Sequence, residues 1–418
     1  MCYAIPGRVA GISGNKATID YFGEKKTALL LDRNAKLETG NYVYAQGGVI
    51  VDVISEAEAK KTLALWEKRF FALKEKDDSL VATGTQNPKL SALFAKVRAG
   101  KPLGKDELNW LLSLRGQDAD ALRSFANSLR REELKNSCCV HGIIEFSNHC
   151  GMNCLYCGIR ATRNMERYRM TEKELVAAAA NAAKLGFRAL VLQSGEDKFY
   201  SGETLVRAVQ KIRRMGVLIF LSIGERDLKL YQALYDAGAR AALVRFETSN
   251  PASYSRWRPG RKLEDRLRLI RELQKIGYLV STGFLIGLPG EGEGELAENI
   301  LLTRGLGTDM YSFGPYIPRN GEKEKPDLDR CLNAISVVRL VDRKAKILVT
   351  TAMETLSPEA KRLGLMAGGN SLMIDVTPEK YSRLYELYQG KYKPAKEEIA
   401  KTLALLNEIG RAPTDLGL

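Results

Sequence analysis

Three cysteines, Cys150, Cys154 and Cys157, stand at C-x3-C-x2-C spacing directly after the apolar run Gly142 to Phe146. Thiolates spaced this closely on one loop can wrap an iron–sulfur cluster. Three protein ligands leave the fourth iron of a four-iron–four-sulfur cluster open to another ligand. Zinc binding, or burial as three small hydrophobes, is the plainer use of the same residues. A structural zinc site takes four ligands, commonly as two separated pairs. The chain's two histidines, His141 and His149, are not at finger spacing. The spacing favours a cluster.

A loop of this kind needs a scaffold that holds it at one end. From His141 onward, apolar strand-like runs fall near 142–146, 189–193, 217–222, 241–245, 279–285, 309–313, 347–351 and 371–375. Helical segments separate them. One is announced by Thr171-Glu-Lys-Glu174, a capping-box pattern before Leu175. Eight strands each followed by a helix predict a parallel (β/α)8 barrel. The cysteine loop leaves the C-terminal end of the first strand, where such barrels carry their chemistry.

Residues 1–74 predict a small β-barrel domain of OB-like kind plus a helix. Short strands are expected at 5–12, 17–21, 27–31, 42–45 and 49–54, punctuated by glycines. The helix starts at Glu56. Residues 75–90 are polar and rich in breakers, so they predict a linker, and helical patterns run from about 90 to 135. Residues 136–418 then form the barrel, with a last helix, Lys396 to Ile409, on its outside. Cys138 and Cys139 predict packing rather than ligation.

The chain has 418 residues and a formal net charge of +14. Its basic residues are spread rather than blocked, which argues against nucleic acid and suits anionic small molecules or an acidic protein. Seven cysteines in this length do not make a disulfide framework. No apolar run is long enough to span a membrane, and no leader is evident, so the expectation is a cytoplasmic protein.

The cysteine triplet with Tyr156 before its last member resembles the signature of radical S-adenosylmethionine (SAM) enzymes. The run from Ile143 to Arg160 is similar to the HydE-type maturases of FeFe-hydrogenase, with biotin synthase and methylornithine synthase as relatives. Met1-Cys2-Tyr-Ala-Ile-Pro-Gly7 resembles the HypC-type chaperones of NiFe-hydrogenase maturation. That second resemblance implies an iron-handling role for Cys2. The family's partner histidine is replaced by Gln46.

The resemblance implies one four-iron–four-sulfur cluster on Cys150, Cys154 and Cys157, and SAM as cofactor. Gln193, Ser194, Gly195 and Glu196 resemble the segment that holds the SAM amino group, and Arg266 a residue that meets its carboxylate. Tyr156, Ser222, Arg245, Glu247 and Leu288 complete the expected SAM site. Strand alternation puts Arg245 and Glu247 on one face. Thr350, Thr351, Met353 and Thr377, with Cys2, are the expected substrate-binding residues. After Cys157 the chain has only Cys331, so no second cluster is expected.

The implied function is reductive SAM cleavage in assembly of a hydrogenase-type iron–carbonyl–cyanide cofactor. The expected substrate is a small molecule or iron complex. The expected electron donor is a ferredoxin or flavodoxin, with other maturation proteins as partners. A radical mutase or lyase acting on an amino acid, and a non-catalytic iron carrier, are the alternatives.

Overall fold

The computed structural model describes residues 4–30, 37–80, 83–292, 294–318 and 326–416. Five strands, β1 (Gly7–Ser13), β2 (Lys16–Tyr21), β3 (Glu24–Leu30), β4 (Tyr42–Gln46) and β5 (Val49–Ile54), close into a small barrel in the order β1-β2-β3-β5-β4. Ile5, Val9, Ala17, Ile19, Val43 and Ile50 fill it. The alternating pattern of β2 puts Ala17 and Ile19 inside and Lys16 in solvent. Leu31 lies outside the described residues.

The second barrel is built from β6 (Cys139–Ser147), β7 (Ala189–Ser194), β8 (Leu218–Ser222), β9 (Ala241–Leu243), β10 (Leu279–Thr282), β11 (Leu285–Ile286), β12 (Met310–Pro315), β13 (Lys346–Val349) and β14 (Ser371–Asp375). All these strands run parallel, and β10–β12 pairing closes the ring. The fifth strand is interrupted at Gly283, so β11 continues β10. Eight barrel strands at the expected places are therefore present, with helices between them. The capping box at Thr171 forms: Glu174 N–H donates to Thr171 Oγ1, and Thr171 N–H to Glu174.

The linker expected over 75–90 is shorter. The helix Glu56–Asp78 runs through its first residues, and a new helix, Pro88–Arg98, starts behind Asn87. Asn87 Oδ1 accepts from the N–H groups of Lys89 and Leu90. The physical reason for the longer first helix is Asp77. Its carboxylate is fully buried and takes a bidentate pair from Arg130, at 2.5 and 2.9 Å, with Arg411 Nε at 3.3 Å. Both arginines are fully buried. Burial lowers Arg411 to about 9. One carboxylate thus ties the end of the first domain to the lead-in helix Gly116–Leu134 and to the C-terminal segment.

The small barrel is docked, not detached. Its β4–β5 turn enters the N-terminal end of the large barrel. Gly47 has φ of +61°, and a Cβ there would sit 3.1 Å from Leu218 and 3.6 Å from Leu279, so glycine meets both the turn geometry and the close approach. Val51 packs on the inner cluster of Val191, Leu218, Phe220 and Leu348. Gly47 N–H donates to Asp415, and Gln46 Nε2 to Cys139 Sγ at 3.3 Å. Cys139 Sγ lies 3.6 Å from His141 Nε2, and His141 Nδ1 lies 3.3 Å from Leu372 O.

Asp77→Ala would leave two buried guanidinium groups without their counter-charge. Breaking such a pair costs about 3–5 kcal/mol, so urea unfolding should show a loss of this order for the whole chain. Burial also pushes His141 down to about 4. Between pH 6.5 and 4 the unfolded chain then takes up a proton that the native chain refuses. Stability should fall with falling pH across that window, by up to about 3 kcal/mol from this group. A His141→Gln variant should show a correspondingly shallower pH slope in chemical denaturation.

Candidate active site

The ends of the barrel strands ring one cavity of about 330 Å³ at the C-terminal face. Cys150, Cys154, Cys157, Tyr156, Gln193, Ser194, Gly195, Glu196, Ser222, Arg245, Glu247, Arg266, Thr350 and Thr351 all line it. These residues are separated by up to two hundred positions in the chain. Barrel closure brings them together.

The cysteine loop is clamped from several sides. Gly151 N–H donates to Glu196 O at 3.1 Å, and Leu155 N–H to Trp257 O at 2.9 Å. A Cβ on Gly195 would sit 2.3 Å from His149 O and 2.6 Å from Cys150 Cβ. The Ser-Gly-Glu segment therefore needs glycine to pass under the loop. Arg167 donates to the carbonyls of Asn148, Ile159 and Arg160, which holds the loop's return. Burial raises the Cys150 and Cys154 thiols; the Met152 N–H, 3.4 Å from Cys150 Sγ, and the Arg258 charge near Cys154 act the other way.

Beside the thiols stands an ionic network. Arg258 is 2% exposed and reaches Glu196 at 3.0 Å and Glu225 at 3.3 Å. Arg266 reaches Glu225 at 3.0 Å and Glu196 at 3.7 Å. Burial, with Glu225 as a like charge, raises Glu196, and Arg258 opposes the shift. Glu196 lines the cavity beside Arg258 and Arg266, which also line it, and Glu225 stands behind both arginines. Such a set can meet an ammonium and a carboxylate at once.

Arg245 and Glu247 do pair, at 2.8 Å, but not by strand alternation. β9 ends at Leu243, and Glu247 has a φ of +68°. A left-handed turn folds Glu247 back towards Arg245, and its other oxygen accepts from the Tyr156 hydroxyl at 3.3 Å. A non-glycine residue held there is strained backbone at the site itself.

Three expected site residues lie elsewhere. Leu288 is buried with Trp257, Leu285 and Tyr316; Leu285, from the same segment, lines the cavity instead. Met353 is buried in the main core. Thr377 is buried, and its hydroxyl accepts from Glu145 N–H at 2.9 Å, so it straps β14 to β6. In each case the chain turns at the strand end and points the side chain into packing. Cys2 lies outside the described residues. The position expected to hold its histidine partner, Gln46, faces the opposite end of the large barrel, against Cys139.

The sequence analysis missed the far wall of the cavity. Lys391 Nζ lies 2.8 Å from Glu145 and 3.0 Å from Asp375. Burial raises Glu145 well above its ordinary value. Burial alone would lower Lys391, but the two carboxylates outweigh it and raise its pKa. Tyr388 shares a 2.8 Å hydrogen bond with Thr351. A second cavity of about 410 Å³ adjoins, sharing Ile143, Thr351, Tyr388 and Lys391 with the first. Glu145 was visible as an acid inside the first apolar strand. Lys391 lies in an irregular tail with no signal of its own.

The residues fit a cluster with SAM. Three thiols face one cavity, yet no three His, Cys, Asp or Glu side chains among the described residues converge on a single ion. Thr350 Oγ1 is buried at the cavity wall without a hydrogen-bond partner, so a polar ligand would satisfy it.

Comparison with known proteins agrees with this geometry. Residues 144–302 match the radical SAM superfamily, and residues 1–66 the HupF/HypC family. The chain is 35% identical over 302 residues to the [FeFe] hydrogenase maturase subunit HydE of Thermotoga maritima, covering 70% of this chain and 87% of that protein. It is 26% identical to 3-methylornithine synthase of Methanosarcina barkeri, covering 77% and 93%. The crystal structure of methylornithine synthase (PylB) superposes with a TM-score of 0.70 at 25% identity, over 77% of this chain and 97% of that one. HydG, a maturase of the [FeFe]-hydrogenase, superposes at 0.66 and 17% identity over 82% and 78%, a likeness of fold. With the closed parallel barrel and its cysteine loop on one side and these matches on the other, the chain belongs to the radical SAM enzymes, related to the HydE maturase, with an N-terminal domain of the HupF/HypC family.

Proposed function

We propose that this enzyme cleaves SAM reductively at a single four-iron–four-sulfur cluster and uses the radical to build an iron fragment of a hydrogenase cofactor. The observation that carries the reading is the fusion itself. A HupF/HypC domain and a HydE-related barrel share one chain and one buried interface. When bound, the cluster and SAM supply one-electron cleavage of the S–C5′ bond and a 5′-deoxyadenosyl radical.

The chain's own residues do the rest. Cys150, Cys154 and Cys157 hold the cluster. Glu196 accepts from the SAM ammonium, and Arg266 donates to its carboxylate. Ser222, with the pair Arg245 and Glu247, borders the adenosyl end. Tyr156 fixes the oxygen of Glu247 that faces the loop. The far wall of Glu145, Lys391 and Thr351, with Asp375 behind Lys391, would orient the substrate, and its burial would exclude water from the cavity. An acidic one-electron carrier and further maturation proteins are its partners.

Amino-acid radical chemistry is the second reading, supported by the methylornithine synthase likeness. Anaerobic protein should bind four irons per chain and form 5′-deoxyadenosine. A maturation assay with apo-hydrogenase then separates the two readings, because only the first predicts that activity appears. A Cys150/Cys154/Cys157→Ala variant should lose both iron and SAM cleavage. Four irons retained in that variant would remove the cluster assignment.

Arg266→Ala should weaken SAM binding ten- to hundredfold, since a charge-assisted hydrogen bond from a buried group is worth about 1.5–3 kcal/mol. Calorimetry on a variant of unchanged melting temperature checks it. Equal affinity there would end the assignment of Arg266 to the SAM carboxylate.

A further inference from the structure

At the stoppered end of the large barrel, two metal-ligating side chains face each other. Cys139 and His141 are two residues apart on β6, so the strand period turns both to the same face. Both are buried. Packing accounts for the neighbouring Cys138, which lies in the main core. It does not account for Cys139, whose sulfur lies 3.6 Å from His141 Nε2 and accepts from Gln46 Nε2 at 3.3 Å.

The ring is held in the orientation that a metal ligand needs. His141 Nδ1 lies 3.3 Å from Leu372 O and 3.2 Å from Ser371 Oγ. A backbone carbonyl only accepts, so in the neutral ring Nδ1 carries the proton and the Nε2 lone pair is turned to the sulfur. Phe220 meets the ring edge-on, with centroids 5.1 Å apart. Metal-bound histidines are oriented in the same way, by donating the other ring N–H to a carbonyl or carboxylate. On the sulfur's other side, the Gln46 N–H bond favours the thiolate. Two acceptors this close are joined by a proton or by a cation. A thiolate at about 2.3 Å and an imidazole nitrogen at about 2.0–2.1 Å from one tetrahedral ion lie about 3.5 Å apart, which matches the separation found.

We infer that Cys139 and His141 form a metal site, separate from the cluster, for one divalent transition-metal ion where the N-terminal domain meets the barrel. Thiolate with imidazole selects such an ion over magnesium or calcium. The thiolate supplies the counter-charge that a buried cation requires. Among the described residues no third His, Cys, Asp or Glu joins the pair, so the ion keeps positions for small ligands of its own. Gln46 ends β4 of the small domain and touches the ligand sulfur, so ion binding and domain docking are coupled. That the ion is ferrous iron rests on the proposed function; the ligand pair does not.

The test adds Co(II), a stand-in for Fe(II), to the cluster-loaded full chain without oxygen. Cobalt separates this site from the iron of the cluster. At one cobalt per chain, cobalt K-edge absorption should show a single sulfur neighbour together with nitrogen, and the melting temperature should rise. Cys139→Ala and His141→Gln should each weaken cobalt binding tenfold or more by calorimetry and remove that rise. Their iron content and 5′-deoxyadenosine formation should stay at the wild-type level. Cys2→Ala and Cys138→Ala should bind cobalt as the wild type does. A wild-type spectrum with no sulfur neighbour, or with the several sulfurs of the cluster, would overturn the site whether or not any variant folds, and would leave the pair as a hydrogen bond. Cobalt lost in Cys2→Ala but kept in Cys139→Ala would overturn it too. Cobalt bound at this pair in a chain that forms no 5′-deoxyadenosine would uphold the site and count against the proposed function.

Discussion

A guanidinium buried at the mouth of the barrel constrains most of this structure. Arg258 is 2% exposed and cannot stand there without counter-charges. Glu196 follows β7, Glu225 follows β8, and Tyr254 precedes Arg258 by one helical turn; all three contact it. The residue before Arg258, Trp257, accepts the backbone bond from Leu155. The charge balance at the cavity mouth and the placement of the cysteine loop are therefore one problem. Shifting any of these strand ends would leave a buried charge unmatched and release the loop.

The opposite end of the barrel is stoppered rather than open. The β4–β5 turn of the small domain fills it, and the Asp77–Arg130–Arg411 group locks the connection from outside. The two domains therefore behave as one packed body. The contact also places Gln46 against Cys139, on the side of the large barrel away from the cluster. Gln46 and the cysteine loop thus lie at opposite ends of the large barrel.

Charge at the cavity is arranged in two clusters, with the Arg245–Glu247 pair beside them. Near the cysteines, Glu196 and Glu225 meet three arginines, Arg258, Arg261 and Arg266. Across the cavity, Lys391 stands between Glu145 and Asp375. Burial raises Glu145, while Lys391 and the hydroxyls of Ser382 and Thr377 lower Asp375 against its own burial. Two neighbouring carboxylates are thereby driven apart in proton affinity. One end of the cavity suits the charged methionine part of SAM, and the other offers the Lys391–Glu145 pair to a substrate.

Much of this was legible in the sequence because it is local or periodic. The cysteine spacing, the Gln193–Glu196 segment, the capping box at Thr171 and the eight apolar runs depend on short stretches of chain. Strand period and turn residues likewise marked the five small strands. What only the tertiary structure decided are contacts between distant positions. Lys391 joins the site through an irregular tail that no pattern marks. Glu247 meets Arg245 because the backbone turns left-handed after Leu243, where alternation no longer applies. Leu288, Met353 and Thr377 sit at strand ends, and the facing of a side chain just past a strand depends on what packs there. The linker was misjudged for the same reason: a polar, charged segment signals exposure, yet Asp77 is buried because Arg130 and Arg411, far along the chain, come to meet it.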